Sequence, residues 1–196
     1  MNKLSGKNIG VLCGGWSDER PVSLDSGKSA HESLLGNNLN AFIFDFQYDD
    51  IDLLSKFIKS NNIDLVLNLI HGSGGEDGLV QSYLDRLSIK YVGSNSKSSK
   101  LSFNKVHTKE IWLRNKLKTP NYLKLSDNIS SKDIKEMFDE KFILKPCESG
   151  SSVGIKIFDS ANFYSSSCAD ILKKLSLNSA NVHEYFIEEF ITAPEY

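Results

Sequence analysis

The sequence feature that most constrains the fold is an apolar strand-like run that leads directly into a glycine-rich loop. The apolar run covers residues 63–70, the loop at 71–78 reads HGSGGEDG, and residues 79–87 have the pattern of a helix. Four glycines in eight positions allow positive φ values and a close approach of the backbone to a ligand. Open α/β sheets bind ligands at the carboxyl ends of their strands, where N–H groups at helix N-termini face anions. We therefore interpret the segment as a binding loop rather than a plain turn.

The first half of the chain alternates strand and helix patterns. Strands separated by helices of 8–14 residues form βαβ units and a largely parallel sheet. This pattern predicts a first α/β domain over residues 1–102, in which the polar segment at 95–101 after the last strand is a short helix or a connector. The strand-like and helix-like segments are, in order, 8–13, 22–35, 41–46, 51–58, 63–70, 79–87 and 89–92.

The second half begins with an amphipathic helix at 104–117, on which Lys105 and Lys109 belong to the polar face. Pro120 is expected to end this helix, because the residue before a proline is pushed out of the α region. Two strands around a Ser/Gly loop predict an antiparallel hairpin. The other predicted elements are strands at 122–125, 141–145, 153–158 and 184–191 and helices at 130–138 and 160–175.

Composition excludes several classes of function. With 23 basic and 25 acidic residues among 196, the net charge of −2 provides no field that recruits nucleic acid or an anionic membrane. The three cysteines lie far apart and have no metal-ligand spacing. The first residues lack a signal-peptide core, and no apolar run approaches a membrane span of about 20 residues. We expect a cytoplasmic protein with reduced thiols.

Three glycine-rich segments follow predicted strands and supply the candidate site residues. In residues 13–23, Glu19 could anchor an ammonium group, although an ordinary strand-to-helix turn explains that segment equally well. In residues 145–154, small residues expose backbone N–H groups next to Lys145, which favours phosphate binding over a flexible hairpin turn. This segment lacks the spacing of a Walker loop. No His, Cys and carboxylate cluster has metal spacing.

Taken together and in order, these motifs resemble those of the D-alanine–D-alanine ligases of the ATP-grasp superfamily. The resemblance implies a Rossmann-like preATP-grasp domain at 1–102, an α+β ATP-grasp small subdomain at 103–183, and the first strand of a large subdomain at 184–196. The motifs that carry it are VLCGGxSxERxVS at 11–23, HGSGGEDG at 71–78, YVGS at 91–94, NK and TK at 104–109, KP with GSSVG at 145–154, and EEFI with PE at 188–195.

The resemblance implies a role for each matching residue. Glu19 would hold the ammonium of the first D-alanine, His71 and Glu76 would line the same substrate site, and Ser151 would orient substrate beneath the glycine loop, so that Glu19 and Ser151 are the candidate catalytic residues. The residues expected to bind ATP are Lys105, Lys145 and Ser152, the adenine-binding strand formed by Glu188, Glu189, Phe190 and Ile191, and the ribose-binding Glu195.

The implied reaction joins two D-alanines for peptidoglycan synthesis. ATP phosphorylates the carboxylate of the first D-alanine, and the amine of the second attacks the acylphosphate. Magnesium or manganese would assist, with ligands expected beyond Tyr196, and the family's dimers use the first domain. Because family members continue for roughly another hundred residues, we expect this chain to be a truncated and inactive fragment whose strand at 184–191 lacks sheet partners.

Two departures from the family pattern affect the phosphate region. Asn104 stands where an Asp is usual, and Glu148-Ser149 replace a usual Arg-Glu. Two alternatives also remain open: another ATP-grasp carboxylate–amine ligase, and a naturally short, non-catalytic binding module of the same fold.

Overall fold

The computed structural model describes residues 4–47, 49–126, 129–138, 140–150, 154–159 and 184–192. The chain divides into two compact units, Met1–Phe103 and Asn104–Tyr196. None of the helices within these described ranges is long and apolar enough to cross a membrane.

The first unit is a four-stranded parallel sheet with the order β2-β1-β3-β4. Each strand is followed by a helix, as the alternating pattern predicts, and the polar segment after the last strand is helical. The elements are β1 (Asn8–Gly14), α1 (Arg20–Gly36), β2 (Asn40–Phe46), α2 (Ile51–Ser60), β3 (Leu65–Asn68), α3 (Leu79–Arg86), β4 (Lys90–Val92) and α4 (Ser96–Phe103).

The central strand β1 carries the core of this unit and is buried from its second residue onward. Strand β3 is shorter than the apolar run at 63–70 predicts. It ends at Asn68, whose side-chain amide donates to the Gly75 carbonyl at 2.8 Å and accepts from the Ile70 N–H at 3.2 Å. These bonds turn the chain out of the sheet and into the glycine-rich loop.

The second unit is a four-stranded antiparallel sheet with the order β5-β8-β6-β7. The predicted hairpin is confirmed, since β6 and β7 pair antiparallel around the Ser/Gly loop. The predicted helix at 160–175 lies outside the described residues. The elements are α5 (Lys105–Arg114), β5 (Tyr122–Lys124), α6 (Ser131–Met137), β6 (Lys141–Pro146), β7 (Lys156–Asp159) and β8 (Tyr185–Glu189).

Two sequence expectations about this unit are wrong. Strand β8 is no unpaired edge: it lies between β5 and β6, with Ile187 opposite Leu123 on one side and Leu144 on the other. Helix α5 ends at Arg114, well before Pro120, because Lys116 adopts a left-handed conformation with φ of 59°. The end of α5 is therefore set by a local backbone reversal and not by the proline.

The core of the second unit lies between the sheet and α6. The inward-facing residues of β6 and β8 alternate along their strands, as the period of two requires. The buried members of this core are Leu125, Ile129, Ile134, Phe138, Phe142, Leu144 and Ile187.

Candidate functional site

In the first unit, the predicted binding loop at 71–78 depends on its glycines. Gly72, Gly74 and Gly78 have φ values of 70°, 90° and 89°, which L side chains rarely adopt. A Cβ atom on Gly75 would lie 2.0 Å from the carbonyl oxygen of Ile70. The loop can therefore take this compact path only with glycine at these positions.

Glu19 lies against this loop, as the interpretation of the two segments as one site requires. The Ser17 hydroxyl donates to the His71 carbonyl at 2.8 Å and accepts from the Glu19 N–H at 3.2 Å. A Cβ atom on Gly72 would lie 3.1 Å from Oε1 of Glu19. Because β1 and β3 are adjacent and parallel, the loops at their carboxyl ends meet at one edge of the sheet.

His71 and Glu76 face each other within the loop. Nδ1 of His71 lies 3.6 Å from Oε1 of Glu76. Nε2 of His71 is buried, and within the described part of the chain it has no hydrogen-bond partner. A buried polar atom without a partner calls for an explanation, and a bound ligand or water can supply one.

The expectation that backbone N–H groups of this loop face an anion is wrong for two of them, and the first N–H of α3 is occupied in the same way. Glu76 accepts from the Gly72 N–H at 3.2 Å. Asp77 accepts from the Gly74 N–H at 2.8 Å and from the Leu79 N–H at 3.0 Å. The loop's own carboxylates thus take up these donors, and the acidic character of the loop suits a cationic group better than an anion.

In the second unit, the two departures from the family pattern contact each other. Asn104 caps α5 by accepting from the His107 N–H at 3.0 Å, and its side-chain amide donates to Oε1 of Glu148 at 2.9 Å. An amide therefore meets a carboxylate where the family pattern has an Asp and an Arg. This contact ties the start of α5 to the glycine-containing loop.

Lys105 donates two hydrogen bonds to backbone carbonyl groups of the same loop. Its N–H donates to the Cys147 carbonyl at 2.9 Å, and its Nζ donates to the Ser149 carbonyl at 2.5 Å. Burial lowers the pKa of Lys105 from its usual value, and the positive charge of Lys145 lowers it further. The two predicted phosphate-binding lysines are therefore close enough to influence each other.

Lys145 pairs with the buried carboxylate of Glu188, and a second lysine pairs with the same group. Oε1 of Glu188 bonds to Nζ of Lys145, and Oε2 lies 2.5 Å from Nζ of Lys109. The side chains of Lys109 and Glu188 are only 7% and 8% exposed, whereas that of Lys145 is 25% exposed. We call Lys109, Lys145 and Glu188 the Glu188 cluster.

The assignment of Lys109 to a solvated polar face is wrong. Val106 and Lys109 are both buried and lie one helical turn apart on α5. On β8, Glu188 follows two positions after the buried Phe186, so alternation places both on the face opposite to Ile187, where Phe186 packs with Val106 of α5. An acidic residue at an inward strand position was the available signal that a buried cation must face it.

The remaining predicted adenine-binding residues lie at the end of β8. Glu189 is exposed, and its N–H donates to the Asn121 carbonyl at 2.9 Å. The Phe190 N–H donates to the Lys141 carbonyl at 3.2 Å, and Ile191 is 54% exposed. These residues border a cleft of about 490 Å³ that is also lined by Asn121, Met137, Phe138, Glu140, Lys141 and Thr192.

Three predicted site residues, Ser151, Ser152 and Glu195, lie outside the described residues. Among the residues that are described, no three His, Cys, Asp or Glu side chains come together in a group that could hold a metal ion.

Comparison with known proteins identifies the fold as that of an ATP-grasp enzyme. The D-alanine–D-alanine ligase from Bacillus anthracis matches in two crystal structures, with TM-scores of 0.74 and 0.72 and identities of 28% and 26%. Each match covers 95% of this chain and 58% or 60% of the other, and the second structure is a complex with ATP. No family model matches the chain.

Curated relatives carry the same name. D-alanine–D-alanine ligase B from Xanthomonas campestris pv. campestris is 38% identical over 159 residues, which is 78% of this chain and 49% of the relative. The D-alanine–D-alanine ligase from Bordetella avium is 33% identical over 195 residues, or 100% of this chain and 58% of the relative. The chain belongs to the D-alanine–D-alanine ligase family, and it spans about half the length of the curated relatives it matches.

Proposed function

We propose that the protein of which this chain forms at least a part joins two D-alanines into D-alanyl-D-alanine at the expense of ATP. The Glu188 cluster is the observation that carries the nucleotide half of this proposal. It contains two ammonium groups and one carboxylate, with Lys105 nearby, so the cluster has an excess of positive charge. Partly buried positive charge of this kind favours polyanionic phosphates.

Lys105 and Lys145 are the residues that we propose contact the phosphates of ATP, together with Ser152. The cleft beside Glu189, Phe190 and Ile191 adjoins the strand that we propose binds adenine, with Glu195 on the ribose. The relative from Bacillus anthracis solved with ATP supports this nucleotide choice. Phosphoryl transfer depends mainly on positioning and charge neutralisation, which lysines and backbone N–H groups can supply.

The first unit supplies the proposed contacts to D-alanine. The carboxylate of Glu19 is beside Gly72 and would accept hydrogen bonds from the substrate ammonium. The acidic residues of the loop, including Glu76, repel anionic groups and so favour the ammonium end of an amino acid. Nε2 of His71, which has no hydrogen-bond partner among the described residues, is a further group that could bond to the substrate. Ser151 is proposed to orient the substrate during the reaction.

In the proposed reaction, an oxygen of the first D-alanine carboxylate attacks the γ-phosphorus of ATP, and ADP leaves. The amine of the second D-alanine then attacks the acylphosphate carbonyl, loses a proton and expels phosphate. Magnesium or manganese would neutralise the phosphate charges. Because no group of side chains that could hold a metal ion occurs among the described residues, we assign no metal ligand among them. We further propose a cytoplasmic enzyme that forms a homodimer through its first domain.

The nucleotide half of the proposal is tested on the 196-residue chain by isothermal titration with ATP. We expect binding that weakens at least tenfold in Lys145→Ala and that is unchanged in Lys124→Ala, a lysine exposed on β5. Equal affinity for ATP in Lys145→Ala and the parent chain would contradict the assignment.

The reaction is tested on the protein expressed from the whole gene. We expect release of phosphate from ATP only when D-alanine is present, and at least a hundredfold lower kcat/KM for D-alanine in Glu19→Gln. A strong preference for another amino acid or a hydroxy acid would favour the alternative of a different carboxylate–amine ligase. ATP binding with no turnover of any amino acid would favour the alternative of a non-catalytic module.

A further inference from the structure

Lys109 is a buried cation to which neither the family resemblance nor the proposed reaction gives a role. Its Nζ has three oxygen neighbours at bonding distance: Oε2 of Glu188 at 2.5 Å, Oγ1 of Thr119 at 2.6 Å and the Pro120 carbonyl at 3.4 Å. The Tyr122 ring lies below it, with 5.3 Å between Nζ and the ring centroid. An ammonium group has three N–H donors, so this set of partners accounts for all of them.

Lys145 is held differently, although it bonds to the same carboxylate. Its side chain is 25% exposed, against 7% for Lys109. Among the described residues, its side chain bonds to a single group, Oε1 of Glu188. Lys145 thus has an open side from which a ligand can approach, and Lys109 has none.

Both lysines neutralise the charge of Glu188, each at a different carboxylate oxygen. A buried carboxylate that loses its only cation is strongly unfavourable, since removal of one partner leaves an uncompensated buried charge. If Lys145 were the sole partner, moving it toward a phosphate would leave Glu188 in that state. With Lys109 fixed on Oε2, the carboxylate stays paired when Lys145 turns away.

We infer that Lys109 is a positioning residue, the permanent counter-ion of Glu188 that leaves Lys145 free to exchange between this carboxylate and an incoming anion. This inference rests on the proposed function only for the identity of that anion, the phosphates of ATP. The division between a fixed and an exchangeable lysine is a property of the ligand-free chain.

Competitive acetylation of the lysines with a trace of acetic anhydride, read by peptide mass spectrometry, tests the division without any nucleotide. In the parent chain we expect Lys109 to label at least tenfold more slowly than Lys145. In Lys109→Met, Lys145 becomes the only cation among the described residues that pairs with Glu188, so its labelling should fall at least threefold. Lys109→Arg restores a cation and should keep Lys145 within twofold of the parent.

Two controls separate this role from a merely structural one. Arg114→Met removes an exposed cation from the same helix and should leave the labelling of Lys145 unchanged. Thr119→Val removes one anchor of Lys109 and should raise the labelling of Lys109 itself, which keeps the test decisive if Lys109→Met does not fold. Similar labelling of Lys109 and Lys145 in the parent, unchanged or faster labelling of Lys145 in folded Lys109→Met, or no effect of Thr119→Val would each overturn the inference.

Addition of ATP then distinguishes this inference from the proposed function. ATP should slow the labelling of Lys145 at least fivefold and leave Lys109 unaffected, and in Lys109→Met the concentration of ATP that gives half-protection should rise at least tenfold. Loss of ATP protection in the parent, with the labelling order of the lysines intact, would count against the nucleotide site and leave the fixed and exchangeable roles standing.

Discussion

The loop at 71–78 in the first unit and the Glu188 cluster in the second unit are organised by different forces. The loop is shaped by backbone geometry: its glycines accept no Cβ atom, and its carboxylates bond to its own N–H groups. The cluster is shaped by charge, because two lysines compensate one buried carboxylate. The first region should therefore be sensitive to added volume, and the second to a change of charge at constant volume.

The largest effect is expected for Glu188→Gln, which keeps the volume and removes the charge. Lys109 would remain buried without a counter-ion, and the loss of one partner of a buried pair costs about 3–5 kcal/mol. The free energy of unfolding of the second unit can be measured by urea titration with Trp112 fluorescence, in a Trp16→Phe background that leaves one tryptophan in the chain.

Glu110→Gln is the matched control, since Glu110 pairs with Arg114 at 3.7 Å on the exposed side of the same unit. An exposed pair of this spacing contributes about 0.5 kcal/mol or less. Equal effects of Glu188→Gln and Glu110→Gln would show that burial does not set the cost of charge loss in this unit.

The second largest effect is expected for Gly75→Ala, which adds one carbon and no charge. The new Cβ would collide with the Ile70 carbonyl, which is backbone and cannot rotate away. Overpacking of this kind costs about 1–3 kcal/mol. Urea unfolding followed by Trp16 in a Trp112→Phe background reports on the first unit.

Gly36→Ala serves as the control for Gly75→Ala. Gly36 ends α1, and a Cβ atom there would meet nothing within 4 Å. Alanine is the better helix former, so Gly36→Ala should leave the unit equally stable or raise its stability by up to about 1 kcal/mol. A comparable loss of stability in both variants would contradict the role of steric fit in the loop.

The same two regions show which properties of the molecule can be predicted from sequence. The parallel sheet follows from local periodicity, since alternating strand and helix patterns allow few other arrangements. The approach of Glu19 to the loop at 71–78 follows from topology, because adjacent parallel strands bring their carboxyl ends to one edge. Local pattern was sufficient for the parallel sheet, whereas a common site for Glu19 and the loop was implied by the family resemblance, because the pattern does not specify that β1 and β3 are neighbours.

The Glu188 cluster could not be predicted in this way, because it depends on contacts between distant segments. Lys109 and Glu188 are 79 positions apart, and nothing in the helical pattern of α5 marks Lys109 as buried. The central place of β8 depends likewise on pairing with β5 and β6, which the order of elements along the chain does not specify. The one local sign was an acidic residue, Glu188, at a buried strand position. The pattern did not show which cation faces it, because that depends on the fold of the distant segments.

The ion pair of Arg20 and Asp45 in the first unit is intermediate between the loop at 71–78 and the Glu188 cluster. It depends on charge, as the cluster does, but it is partly exposed to solvent. The guanidinium donates to the Asp45 carboxylate at 2.8 and 2.7 Å, and it lowers the pKa of Asp45. A lowered pKa in the folded state adds stability above the unfolded pKa of about 3.9, and this stability is lost as the pH falls through the folded value.

Asp45→Asn should therefore destabilise the first unit by about 1 kcal/mol or less at pH 7, since solvent screens the pair. The difference between Asp45→Asn and the parent chain should narrow as the pH is lowered below about 4. Urea midpoints of Trp16 fluorescence across this pH range provide the measurement. A difference that is constant with pH would show that Asp45 acts through its shape and not its charge.

The smallest effect on the free energy of unfolding is expected for Asn104→Asp, which introduces a negative charge next to Glu148. Asn104→Asp retains a good helix cap but places a carboxylate where the amide now donates to Glu148 at 2.9 Å. Like charges at an exposed site should cost about 0.5 kcal/mol. Adding Glu148→Arg restores the Asp and Arg of the family pattern and should recover that loss. Because a double-mutant cycle isolates the coupling of two residues in contact, additive effects on the unfolding of the second unit would show that the two substitutions do not compensate each other.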